Sequence, residues 1–265
     1  MAIKSKAEAK VIADAYKEHR GGDTMSTGAY MFAIAVAIVA GIVFSVIGAR
    51  TMMQLPLSQW GGWAFFGLSV GWFVVVLGAG MIAALAERWP VTALMFAIVT
   101  LATGAYLGPF VAMYEPQSVI NILFYTVVIT IVLGLAGALW PHDVEHWFEW
   151  LMKATLALVV ALFALIAVVL ALAAFKVSMV VPVAILSILD WVGIVLFSVW
   201  IFYDMNQALR MPANLNNAIL NALNMYLNMV NIWIRLLAQF GQLKEVAGDV
   251  GSVAVDAVSS LADAV

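Results

Sequence analysis

The chain has 265 residues, of which 65% are hydrophobic and 10% charged, and its mean hydropathy is +1.05. A net charge of −3 offers no basic surface for nucleic acid. The absence of cysteine excludes disulfides, thiolate catalysis and cysteine-ligated metal.

This is the composition of an all-α, multi-pass integral membrane protein whose first partner is the lipid bilayer. A helix needs about 18 or more apolar residues to cross about 30 Å of hydrocarbon, and several runs here are that long. Residues 1–28 read as a cytoplasmic tail, a short charged helix ending at Gly21-Gly22. Residues 29–241 hold seven predicted spans, over 30–48, 63–86, 91–113, 119–139, 151–175, 179–203 and 218–240. The first run is too long for a cleaved signal peptide and reads as a retained span. Residues 242–265 form a C-terminal tail rich in Ala, Val, Ser and Asp.

Lysine and arginine set the expected orientation. Lys4, Lys6, Lys10, Lys17 and Arg20 share one side with Arg88, Lys153 and Arg210, while Arg50, Lys176 and Lys244 fall on the other. The N-terminus is therefore expected in the cytoplasm. In the second span, Gly67 and Gly71 make a small-residue pair, with Gly78 and Gly80 below, which reads as a helix-packing signal.

The sixth helix carries two acids, Asp190 within its span and Asp204 near its cytoplasmic end. Fourteen residues apart, they lie within about 40° of each other around a helix and about 21 Å apart along it. Two carboxylates on one face at different depths mark a candidate route across the membrane. The seventh span carries polar residues at Asn217, Asn221, Asn224, Asn228, Asn231 and Arg235, in steps of four and three. That is the repeat of one helix face. Amides are costly in hydrocarbon unless they find partners or water, so the stripe must face other helices or a wet cavity. It is either interhelical glue or the lining of an ion or proton route. A central position suits this helix.

The turn over Pro212 to Asn216 breaks the helix and joins spans six and seven as an antiparallel hairpin. Asp204 and Asn228 are equidistant from its tip and are expected to face each other.

The segment Ile201-Phe202-Tyr203-Asp204-Met205-Asn206-Gln207 is followed by Leu223-Asn224-Met225-Tyr226-Leu227-Asn228-Met229-Val230-Asn231-Ile232-Trp233-Ile234-Arg235-Leu236-Leu237 and then Phe240-Gly241. Together they resemble the C-terminal signature of the Bax inhibitor-1 family. Gly104-Ala105-Tyr106-Leu107-Gly108-Pro109 extends the resemblance more weakly into the third span. The resemblance implies a calcium-leak channel whose opening depends on protonation, in the manner of bacterial inner-membrane members. Two aspartates share a proton there, and their positions correspond to Asp204 and Asn228 here. The second is asparagine, so calcium would meet one charge rather than two. The resemblance also implies an arginine pairing with the sixth-helix acid to close the pore, for which Arg88 is the candidate. A branch lacking the full acid pair includes a modulator of the FtsH membrane protease, which implies regulatory binding to such a protease.

The candidate ion pathway is therefore Asp204, Asn228, Arg88, Asp190, Asn224 and Asn231, with Asp204 the candidate calcium contact. No cofactor is expected, calcium entering only as transported ion, and no enzymatic activity. His142 and His146 stand at i,i+4 beside Asp143, Glu145 and Glu149, a spacing that could hold a metal but reads better as a charged interfacial turn.

Overall fold

A computed structural model describes residues 24–54, 62–174 and 180–243. Lys176, Lys244 and the two tails, apart from residues 24–28 and 242–243, lie outside the described residues. Seven helices follow one another: α1 (Thr27–Met53), α2 (Gly62–Leu85), α3 (Trp89–Val111), α4 (Pro116–Leu139), α5 (Trp147–Ala174), α6 (Val180–Ala208) and α7 (Leu215–Phe240). Among the described residues, α1 to α6 each contain a stretch long and apolar enough to cross a membrane. Their outer faces expose large apolar side chains such as Phe32, Leu85, Phe124, Leu139 and Phe163, a surface suited to lipid.

The helix ends follow local chemistry. Ser26 caps α1, its Oγ accepting from the Ala29 amide at 3.3 Å. Pro90 and Pro116 sit in the first turns of α3 and α4, where no amide hydrogen is needed. Most of the helices run past the predicted spans because the interfacial residues remain helical. The extension of α6 to Ala208 places Asp204 inside the helix rather than at its end.

Loop contacts define two opposite faces of the bundle. On the near face, the Met25 amide donates to the Ala213 carbonyl at 2.8 Å, and Asn216 Nδ2 donates to the Ala86 carbonyl at 3.0 Å. On the far face, the Glu115 amide donates to the Gln242 carbonyl at 2.8 Å.

Packing is densest between α1 and α3. A Cβ on Gly48 would strike the Leu101 carbonyl, one on Gly104 the Ser45 carbonyl, and one on Gly108 the Ala49 backbone. Backbones approach this closely only where side chains are absent. Ser45 Oγ uses the approach, donating to one of the Gly41 (2.8 Å) and Thr100 (3.0 Å) carbonyls and lying close to both. The glycine pair expected to pack, Gly67 and Gly71, instead faces open space, and α2 is buried through Ala79 and Ala83. The spacing of small residues shows that a helix has a smooth strip, but not which strip another helix covers. Gly104→Val is expected to cost about 3 kcal/mol or more, the upper range for overpacking a tight site. Gly71→Ala should be neutral. Melting temperatures in detergent would check both, and equal losses would contradict this account of the α1–α3 contact.

The seventh helix packs against α6, α1, α3 and α4, while α2 packs chiefly on α3 and α5 on α6. Its buried apolar positions, including Ile219, Leu223, Met225 and Ile232, join the main core with Tyr30, Phe96 and Ile201. Its amides occupy the remaining side.

Candidate functional site

The site is built on the α6–α7 hairpin. The turn is tied by asparagines. Asn214 caps α7 by accepting from the Asn217 amide at 2.8 Å, and Asn217 Nδ2 donates back to the Pro212 carbonyl at 2.8 Å. Proline stops α6 and the capped asparagine restarts the chain as α7. The two helices then run antiparallel, and residues at equal distance from the tip meet.

The amide ladder, with Asn216 beside it, serves two purposes, and Asn221 shares in both. Asn216, Asn217 and Asn221 are buried and bind neighbouring groups. Asn216 Oδ1 accepts from Thr92 Oγ1 at 2.5 Å, and Asn221 Nδ2 donates to the Tyr30 hydroxyl at 2.7 Å. These are interhelical glue. Asn221, Asn224 and Asn228 line a cavity of about 480 Å³ between α5, α6 and α7. Asn231 lines a second cavity, of about 500 Å³, on the far-face side.

Asn228 Nδ2 donates to Asp204 Oδ2 at 2.7 Å. Asp204 is 7% exposed, and the wall of its cavity runs from Glu145 and Met211 at the near face to Thr155 and Phe197 deeper in. A buried carboxylate with an amide partner and a polar approach can receive a cation or a proton.

Arg88 is not part of this arrangement. It lies exposed at the N-cap of α3, and among the described residues no ion pair joins it to Asp204. Topology places it on the near face, but membrane side fixes height and not position around the bundle. The expected closing contact is thus absent from this conformation.

Among the described residues the buried cation is Arg235, 8% exposed. Its Nη1 donates to Asp190 Oδ1 at 2.9 Å. Gln239 Nε2 donates to Asp190 Oδ2 at 3.2 Å, and Ser187 Oγ donates to Gln239 Oε1 at 2.9 Å. Gly193 opens the socket, since a Cβ there would lie 2.5 Å from the guanidinium carbon. The sequence reading placed Asp190 and Arg235 separately and did not join them. The mirror that pairs Asp204 with Asn228 also brings Asp190 to the height of Arg235 and Gln239, and was the available signal.

At the near-face mouth, Asn206 Nδ2 lies 3.1 Å from the Gly137 carbonyl, 3.3 Å from that of Trp140 and 3.3 Å from that of His142. It holds the end of α4 and the following loop in place. Gln207 Nε2 donates to Asp143 Oδ1 at 3.0 Å, and the Glu145 amide donates to the same oxygen at 2.8 Å. These bonds, the Gln207 one foremost, hold the Asp143 carboxyl below the ordinary aspartate range. His142 and His146 stack edge-on against Trp140 and Trp147 in this loop.

The family model described as inhibitor of apoptosis-promoting Bax1 matches residues 27–245. The chain belongs to the Bax inhibitor-1 family. The match begins where α1 begins and extends past the end of α7, so every helix lies inside it. A comparison with curated proteins gives no match.

Proposed function

We propose that this member of the Bax inhibitor-1 family is a bacterial-type cation leak pathway, with calcium as its transported ion. The carrying observation is the Asp204–Asn228 contact, 2.7 Å long, in a cavity that reaches the near face. In this reading α7 is the seventh span and the central helix, with Asn224, Asn228 and Asn231 toward water-filled space. The lysine and arginine bias supports a cytoplasmic near face, so Glu145 and Asp204 would meet the ion from that side. Asp204 is the calcium contact, with one charge where an acid pair would offer two. No catalytic role and no cofactor belong to this reading. The experiment is calcium entry into dye-loaded vesicles carrying the purified protein, against protein-free vesicles of the same lipid.

A second reading is regulatory binding to a membrane quality-control protease of the FtsH type, without transport. It is favoured by Asn228 standing where the acid pair needs its second member. Capture of such a protease with this chain from native membranes, together with no calcium entry, would select it.

A further inference from the structure

The polar stripe between α6 and α7 is interrupted halfway. On α6, Asp190, Phe197 and Asp204 follow one another at seven-residue intervals. Seven residues are nearly two turns, so the three share one side at steps of about 10 Å. An aromatic ring therefore stands midway between two buried carboxylates. On α7, Asn224, Leu227, Asn228 and Asn231 share a face through three- and four-residue spacing. Leu227 lines both cavities. Phe197 lines the near one, and Leu162 of α5 lines the far one.

The apolar waist is held from the far side. The Arg235 guanidinium lies over the Phe197 ring, 5.7 Å from its centroid. Asp190 anchors that guanidinium, and Asn231 Nδ2 donates to the Leu227 carbonyl at 2.9 Å. A hydrated cation meets amides and the Asp204 carboxylate in the near cavity, and in the far one Asn231 together with a carboxylate already paired to Arg235. Between the two cavities the shared lining side chain is the apolar Leu227, with Phe197 beside it on the near side, and an apolar constriction closes to ions by excluding water.

We propose that Phe197 and Leu227 form a hydrophobic gate between the two cavities, latched on the far side by the Asp190–Arg235 pair. The gate rests on the cation-leak reading given above and assigns the element that keeps the leak slow. Opening requires the two side chains to part, and the guanidinium over Phe197 ties that movement to the ion pair.

The test is calcium entry into dye-loaded vesicles holding wild type, Leu227→Asn or Leu227→Trp, beside protein-free vesicles. Leu227→Asn is expected to leak about tenfold faster than wild type, the effect of taking about 1.4 kcal/mol off a barrier. Leu227→Trp is expected to leak more slowly. A Leu227→Asn protein that melts with the wild type and leaks at its rate overturns the gate. Where the polar variant does not fold, Leu227→Ala carries the same expectation with a smaller rise. The two readings fail separately. A silent wild type beside a conducting Leu227→Asn removes the resting leak and keeps the gate. A conducting wild type that Leu227 variants do not alter removes the gate and keeps the leak. Silence in both removes both.

Discussion

Asp190→Ala is expected to destabilise the folded protein by about 3–5 kcal/mol, the usual cost of leaving one member of a buried ion pair without its counter-charge. The two side chains are 12% and 9% exposed, and Nη1 of Arg235 reaches Asp190 Oδ1 at 2.9 Å. Removing the carboxylate leaves a guanidinium enclosed by the Leu189 carbonyl, the Phe197 ring and the backbone at Gly193. Gln239 loses its acceptor as well. Desolvating both charges is itself costly, so replacing the pair together behaves differently from breaking it. Asp190→Leu combined with Arg235→Met should recover most of the loss. Melting in detergent, followed for the single and double variants, measures both effects. A single variant that melts with the wild type would mean that the carbonyl and the ring suffice for Arg235.

Asn228→Asp is expected to alter the pH dependence of calcium leak between pH 5 and 8, because it sets a second titrating carboxylate beside Asp204. The present partner of Asp204 is an amide that donates a hydrogen bond at 2.7 Å and does not titrate in this range. An aspartate at that distance would place two carboxylates in one enclosed site. Like charges so close cannot both ionise freely, so they share a proton and titrate as a coupled pair. Proton uptake then changes the charge a cation meets in the cavity. Leak measured across that range for both proteins is the check. A steep transition in the wild type, unaltered by Asn228→Asp, would move the pH sensor elsewhere.

The helical hairpin was legible because its geometry is local. Pro212 and the asparagines after it mark the tip, and antiparallel helices then fix depth by counting. That argument brought Asp204 to Asn228, which the structure joins by a hydrogen bond. Counting gives depth but not reach, and so Arg235, whose long side chain crosses to α6, was read with the amides and not as the partner of Asp190. Arg88 illustrates the complementary limit. Its membrane side followed from the order of spans, but the position of α3 around the bundle did not, and its side chain is exposed. The ladder was read as either glue or a polar lining, and it divides between both. Asn217 is buried against its neighbours, Asn221 both binds Tyr30 and lines the near cavity, and Asn224, Asn228 and Asn231 line cavities. A uniform periodicity could not separate them, because the division depends on where α5 and α2 stand. The α1–α3 contact was missed for a similar reason. Gly48, Gly104 and Gly108 look no more distinctive in sequence than Gly67 and Gly71.

The central claim is that Asp204 receives a cation from the near-face cavity on a path through the α6–α7 interface. Its most direct test is the initial rate of calcium entry into vesicles carrying wild type or Asp204→Asn, compared with protein-free vesicles. The substitution keeps the shape of the side chain and removes its charge. The account predicts entry above background for the wild type and a fall of about tenfold for Asp204→Asn, equivalent to about 1.4 kcal/mol of lost cation stabilisation. Wild-type entry at the protein-free rate, or equal rates for the two proteins, would contradict it.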